Sequence, residues 1–240
     1  QTMITILDGG MGGEIQKRLA GAAKGLWSAT ALVDSPELVV ALHQEYIEAG
    51  ARMIITNTYS TVPSYLAKGN LEAEFERFTA LGGELARKAV TQSGESVQVA
   101  GALPPLSESY RPDLVPAAVI AEPIYAQLVR ALEPYVDLFL CETMSSADEA
   151  YHAASQAKAE GNGKPVYVAW TLNEAPGTGL RSGETLLTAF ERLADLGIDG
   201  YLLNCTTPEA ANTAIIELKQ LTDRPIGCYV NRIKEVPKGW

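Results

Sequence analysis

Histidine is scarce in this sequence: His43 and His152 are the only two, and both fall within helical patterns. A mechanism that needs a histidine base or several histidine ligands therefore starts without its parts. Cysteine is nearly as rare. Three thiols, an odd number in a chain of 240 residues, do not make a disulfide framework, so reduced thiols or metal ligation are the default. Basic runs are missing as well. Lys and Arg number 19 against 29 Asp and Glu, giving a formal charge of -10, which argues against a phosphate backbone or an anionic membrane as partner. No apolar run approaches the roughly 20 residues of a membrane-spanning helix. The opening QTMITILDGG lacks the basic segment and long apolar core of a signal peptide. These absences predict a cytoplasmic protein with neither nucleic acid nor a membrane as its partner.

What is present is an alternation of apolar runs of strand length with stretches of helical periodicity. The strand runs are ITILD (4–8), RMIITNTY (52–59), VQVAGAL (97–103), VDLFLCE (136–142), PVYVAWTL (165–172), GYLLNC (200–205) and PIGCYVN (225–231). Between them the pattern predicts helices over 35–49, 71–93, 117–132, from an N-cap at Ser145 or Ser146, over 184–196, and from Thr207 with Pro208 in the first turn. Gly94 stands where a left-handed cap is needed. Seven strands rich in Val, Ile and Leu imply a parallel sheet buried on both faces. The fold class expected is α/β, a (β/α)8 TIM-type barrel with only seven strands present. It would form a single domain over 1–240, incomplete at its C-terminus because the sequence ends at Trp240 with no eighth unit.

In such a barrel the chemistry sits at the carboxyl ends of the strands. Strand alternation puts Asp8 on a face with Ile4 and Ile6, Glu142 with Leu138 and Leu140, Cys205 with Tyr201 and Leu203, and Asn231 with Gly227 and Tyr229. On that alternation Cys141 and Cys228 point to the opposite faces, leaving Cys205 as the thiol of the site. Plainer roles compete. Asp8 before GGMGG could brace a tight turn, Glu142 could pair with a surface lysine, and Cys205 could be a small buried apolar residue. The glycines at 9, 10, 12 and 13 miss the dinucleotide spacing and are followed by no Lys-Ser or Lys-Thr, so they read as a turn that lets backbone approach a ligand. No strand end carries a lysine, which disfavours a Schiff-base aldolase. Trp27 and Ser28 read as a loop roofing the site.

Taken together, LDGGMGGE (7–14), LWS (26–28), ITNTY (55–59), GALPP (101–105), ET with the following Glu149-Ala150, and NC (204–205) resemble the zinc-dependent homocysteine S-methyltransferase family. Its barrel also forms the homocysteine modules of betaine-dependent and cobalamin-dependent methionine-forming enzymes. The resemblance implies transfer of a methyl group from a sulfonium or ammonium donor (S-methylmethionine, S-adenosylmethionine or betaine) to a zinc-bound homocysteine thiolate, giving methionine. It implies that Cys205 is the first of three zinc cysteines and that Asp8 and Glu142 hold the amino group of homocysteine. It also places Gly9, Trp27, Thr58 and Tyr59 near the substrate and makes Asn231 the asparagine ending the seventh strand, although Val230 and Arg232 depart from the usual pattern.

The family's other two zinc ligands are adjacent cysteines at the end of the eighth strand, and no such pair follows here. The expectation is therefore zinc in the complete protein, and a 240-residue form without it and inactive unless roughly 50 further residues complete the fold. Exposed strand edges make an oligomer possible. Two other readings remain: a barrel that binds homocysteine or a similar amino acid without metal or catalysis, and a metal-free lyase using Asp8 and Glu142 as acid and base.

Overall fold

The computed structural model of the protein describes residues 4–19 and 26–231, with Trp27 described by its backbone alone. In chain order it contains α1 (Met11–Arg18), α2 (Trp27–Asp34), α3 (Pro36–Glu48), β1 (Met53–Ile55), α4 (Pro63–Leu66), α5 (Phe75–Ser93), β2 (Gln98–Leu103) and α6 (Ala118–Leu132). These are followed by β3 (Leu138–Met144), α7 (Ala147–Glu160), β4 (Val166–Trp170), α8 (Leu186–Arg192), β5 (Gly200–Asn204), α9 (Pro208–Leu221) and β6 (Ile226–Tyr229). It is an α/β fold whose recorded strand pairs are all parallel.

Local chemistry sets several boundaries. The Ser146 hydroxyl accepts from Glu149 N at 3.1 Å and caps α7, while Thr207 accepts from Ala210 N at 3.3 Å and caps α9, with Pro208 in the first turn, where a missing N–H is harmless. Gly94, at φ +68°, closes α5 in the left-handed region. Two helices are shorter than their patterns. Residues 72–74 ahead of α5 and 194–196 behind α8 are tight single turns with three residues per turn.

The strand count is six among the described residues, not seven. The expected first strand, 4–8, makes one isolated bridge, Leu7 to Met53, through Ile6 O accepting from Arg52 N at 2.8 Å and Asp8 N donating to Met53 O at 3.0 Å. Ile4 and Ile6 are 84% and 57% exposed, so no burial rewards extending that ladder. The remaining six expected strands are present.

The chain divides into two compact units, one of Gln1–Ala102 with Gln127–Leu138, the other of Leu103–Ala126 with Phe139–Trp240. The first pairs β1 with β2 and builds its core from α1, α2, α3 and α5, with Ile15, Leu32, Val39, Leu42, Phe78 and Leu85 buried together. The second pairs β3, β4, β5 and β6 in sequence order. All seven residues of β3 and all five of β5 are buried, the mark of parallel strands covered on both faces.

Candidate active site

The carboxyl ends of β3, β4 and β5 in the second unit are tied together by side chains. Asn204, the last residue of β5 and buried, accepts from Thr143 N at 2.9 Å and donates to the Thr143 hydroxyl at 2.8 Å. Thr171, just past β4, donates its hydroxyl to Cys205 O at 3.0 Å and its amide to Met144 O at 3.0 Å. These bonds hold two residues in unfavourable backbone: Thr143 at φ +60° and Cys205 at φ +49°. Left-handed backbone at such residues costs on the order of 1–3 kcal/mol each and persists only where neighbours enforce it. Strand alternation fails at both positions, and the β3–β4 register shifts between Cys141 and Met144.

The Cys205 thiol is enclosed although the residue is partly exposed. Asn204 donates to its sulfur at 3.4 Å, the Thr143 hydroxyl lies at 3.8 Å, and the Tyr110 hydroxyl bonds both to the thiol and to the Asn231 side chain. Burial pushes the thiol pKa up, the Glu142 charge adds to that, and the three donors work against it. Burial likewise raises Tyr110, which sits at φ +64°. Over the Tyr110 ring lies the Arg181 guanidinium, 5.0 Å from the centroid, with its Nε 3.5 Å from the Thr171 hydroxyl.

Glu142 is buried and its pKa is pushed up to about 7 by desolvation, against the hydrogen bond donated by Tyr229 at 3.0 Å. A buried carboxyl poised near neutrality, with no basic partner among the described residues, can accept a cation from outside the protein. The structure thus brings Glu142, Cys205 and Asn231 into one network of the second unit, through Tyr229 and Tyr110. Asn231 N also donates to Thr206 O at 3.1 Å.

Asp8, Gly9, Thr58 and Tyr59 belong to the first unit and are described there. One Asp8 oxygen accepts from Ile55 N at 2.8 Å, at the end of β1. At Gly9 the backbone passes close to the Tyr46 ring: a Cβ there would lie 2.8 Å from it, so a side chain would require that ring to move. Thr58 is buried, bonded to the Thr56 hydroxyl at 2.8 Å and donating to Ala102 O at 3.1 Å, and Tyr59 stands edge-on to Tyr65. Trp27 and Ser28 open α2 instead of forming a loop, because Ser28 is buried and exchanges two bonds with Asn57, at 2.8 and 2.9 Å. The Trp27 side chain lies outside the described residues.

Residues 5–240 match the family model for homocysteine S-methyltransferase. The chain belongs to that family. A homocysteine S-methyltransferase of Escherichia coli (strain K12) is 31% identical over 95% of this chain and 77% of its own length, and homocysteine S-methyltransferase 3 of Arabidopsis thaliana is 28% identical over 94% and 73%. The homocysteine methyltransferase MmuM from Escherichia coli in its metallated form superposes with a TM-score of 0.84 at 28% identity, covering 96% of this chain and 85% of that one.

For a member of a family with a metallated homologue, the donor set decides whether metal fits. Among the described residues no group of three His, Cys, Asp or Glu side chains could hold an ion. Cys141 is buried where it feels Tyr125 of α6, and Cys228 is exposed. One thiol falls short of the three protein ligands a catalytic zinc needs, so the described residues do not fit the ion by themselves.

Three residues of this network escaped the sequence, Tyr110, Thr171 and Arg181, and Thr143 stood in the ET pair without a role of its own. Tyr110 lies in the Pro-rich segment after β2, where periodicity carries no signal. For Arg181 the signal was the glycines at 177, 179 and 183, which mark a loop of fixed shape.

Proposed function

We propose that this protein transfers a methyl group from a sulfonium or quaternary ammonium donor to the sulfur of homocysteine, giving methionine. The observation that carries the reading is the buried Glu142 carboxyl in one network with the Cys205 thiol at the ends of β3 and β5. We assign Glu142 to the substrate ammonium, whose approach would draw the carboxyl into its ionised form while Tyr229 keeps it oriented. Asp8 is the second ammonium-binding carboxylate and Gly9, Trp27, Thr58, Tyr59 and Asn231 line the substrate on the strength of the family resemblance. The strand and helix order and the likeness to MmuM support a single TIM-type barrel domain. The absence of any helix long and apolar enough to cross a membrane among the described residues suits a cytoplasmic enzyme with small-molecule substrates.

Zinc, bound through Cys205, would need further donors from outside the described residues, and when bound it supplies a thiolate at neutral pH. The chain's own residues do the rest: they fix the amino-acid end, enclose the sulfur and hold the two reactants in line, which removes several kcal/mol of bimolecular entropy from the barrier. The test is methionine formation from L-homocysteine with S-methylmethionine, S-adenosylmethionine or betaine, with zinc content and intact mass measured on the same sample. Methionine from at least one donor supports the reading. Homocysteine binding without turnover leaves the amino-acid-binding barrel in its place, and no binding at all removes both.

A further inference from the structure

The loop from Leu172 to Glu184 is built with more care than a connection requires. Leu180 bridges back to Leu172, Asn173 N donates to Gly179 O at 3.0 Å, and the Asn173 side chain donates to Leu180 O at 2.7 Å. Ser182 N donates to Ser145 O at 3.1 Å, pinning the loop to the end of β3. Gly179, at φ +82°, has no room for a side chain, since a Cβ would lie 2.1 Å from Glu184 O. What this frame delivers is Arg181, half-buried, with its guanidinium over the Tyr110 ring and its Nε facing the Thr171 hydroxyl that bonds Cys205.

Arg181 has no carboxylate within ion-pairing distance among the described residues; Glu174 acts on it from farther away. A guanidinium that is partly desolvated and left without a bidentate partner is an expensive arrangement unless an anion arrives. Its neighbours leave its fork open: an aromatic face on one side and a single hydroxyl on the other. The opposite charge in the same network is Glu142. Cation and carboxylate flanking one thiol match the two ends of a zwitterionic amino acid.

We infer that Arg181 binds the α-carboxylate of an amino-acid substrate at the Cys205 end of the strands, as the counterpart of Glu142 at the ammonium. This rests on the methyltransferase reading above and deepens it. Two substrates of that reaction bring the required group, homocysteine and an amino-acid donor such as S-methylmethionine, and the test tells them apart.

Calorimetric titrations would compare wild type with Arg181→Met, using L-homocysteine and S-methylmethionine, each against its decarboxylated analogue. In wild type, removing the carboxylate is expected to weaken binding by about 10- to 100-fold, the range of one charge-assisted hydrogen-bonded pair. In Arg181→Met that penalty should vanish for one ligand, which identifies the carboxylate Arg181 reads. Arg181→Lys, which keeps the charge but not the planar fork, should retain part of it and serves if the methionine variant melts early. A penalty that survives both substitutions for both ligands overturns the assignment while leaving the methyltransferase reading intact. Wild type binding neither ligand would bring down that reading and this inference with it.

Discussion

Asp199 and Glu142 are both carboxylates of the second unit, placed at opposite ends of its strands, and they are treated in opposite ways. Asp199 sits just before β5. Partial burial pushes its pKa up, but Lys158 of α7 at 2.6 Å and Val166 N of β4 at 2.9 Å outweigh that and hold it below the usual carboxylate range. The first unit repeats the device: Asp137, just before β3, accepts from Val99 N at 2.7 Å and from Arg87 of α5 at 2.8 Å. At the carboxyl ends the same chemistry is left unfinished. Glu142 has one tyrosine donor and a pKa near 7, and the Cys205 thiol is pushed up by burial and the nearby Glu142 charge. The entry ends of the strands spend their charges on the fold; at the exit ends Glu142 is buried without an ionic partner among the described residues, at some cost in stability.

The sharpest break of this contrast comes from pH. In the folded protein Glu142 is held protonated up to about pH 7 against an ordinary value of 4.5, so its contribution to stability is present below 4.5 and is lost as pH rises toward 7. His43 runs the other way. It is buried without a hydrogen-bond partner among the described residues, its pKa falls from 6.5 to about 4, and its contribution is lost as pH falls through that interval. Each shift corresponds to about 3 kcal/mol, and the two oppose each other between pH 4.5 and 6.5. Denaturant melts across that range should show Glu142→Gln losing more stability on acidification than wild type and His43→Leu losing less. Parallel profiles for all three proteins would remove the contrast.

Next in size is binding. Glu142→Gln should weaken homocysteine about 10- to 100-fold, the worth of a charge-assisted bond, with a much smaller effect on a donor such as betaine, which carries no N–H. Equal losses for both would unseat Glu142 as the ammonium partner. Asp199→Asn should do the reverse: a loss of about 1–2 kcal/mol in stability from the weakened bonds to Val166 N and Lys158, with ligand affinities unchanged. Smallest is Lys158→Met, whose partly exposed ion pair is worth under about 1 kcal/mol and should fade further in high salt.

Much of this architecture was legible because its causes are local. Ser146, Thr207, Pro208 and Gly94 announce helix ends through their own backbone chemistry, and β3 and β5 stand out as continuous apolar runs. The run at 4–8 misled because apolar alternation promises burial that Ile4 and Ile6 do not obtain. The network around Cys205 was hidden for a different reason. Alternation assumes extended backbone, and Thr143, a β-branched residue with no tendency toward positive φ, gives no warning that the chain turns over at that point. Asn204 enforces the turn from a strand that is not its neighbour, so no window of sequence contains both halves of the cause.

The pairing of Trp170 with Tyr201 supplies a spectroscopic handle. Trp170 is completely buried, its ring stacked 5.7 Å from Tyr201, one residue before the Thr171 that grips Cys205. Its indole N–H finds no acceptor among the described residues. With Trp240 replaced by phenylalanine, the remaining emission would come from Trp170 at the end of β4 and from Trp27. Such a protein would report, in a cuvette and in real time, whether a small molecule arriving at the strand ends tightens them or leaves them as they were.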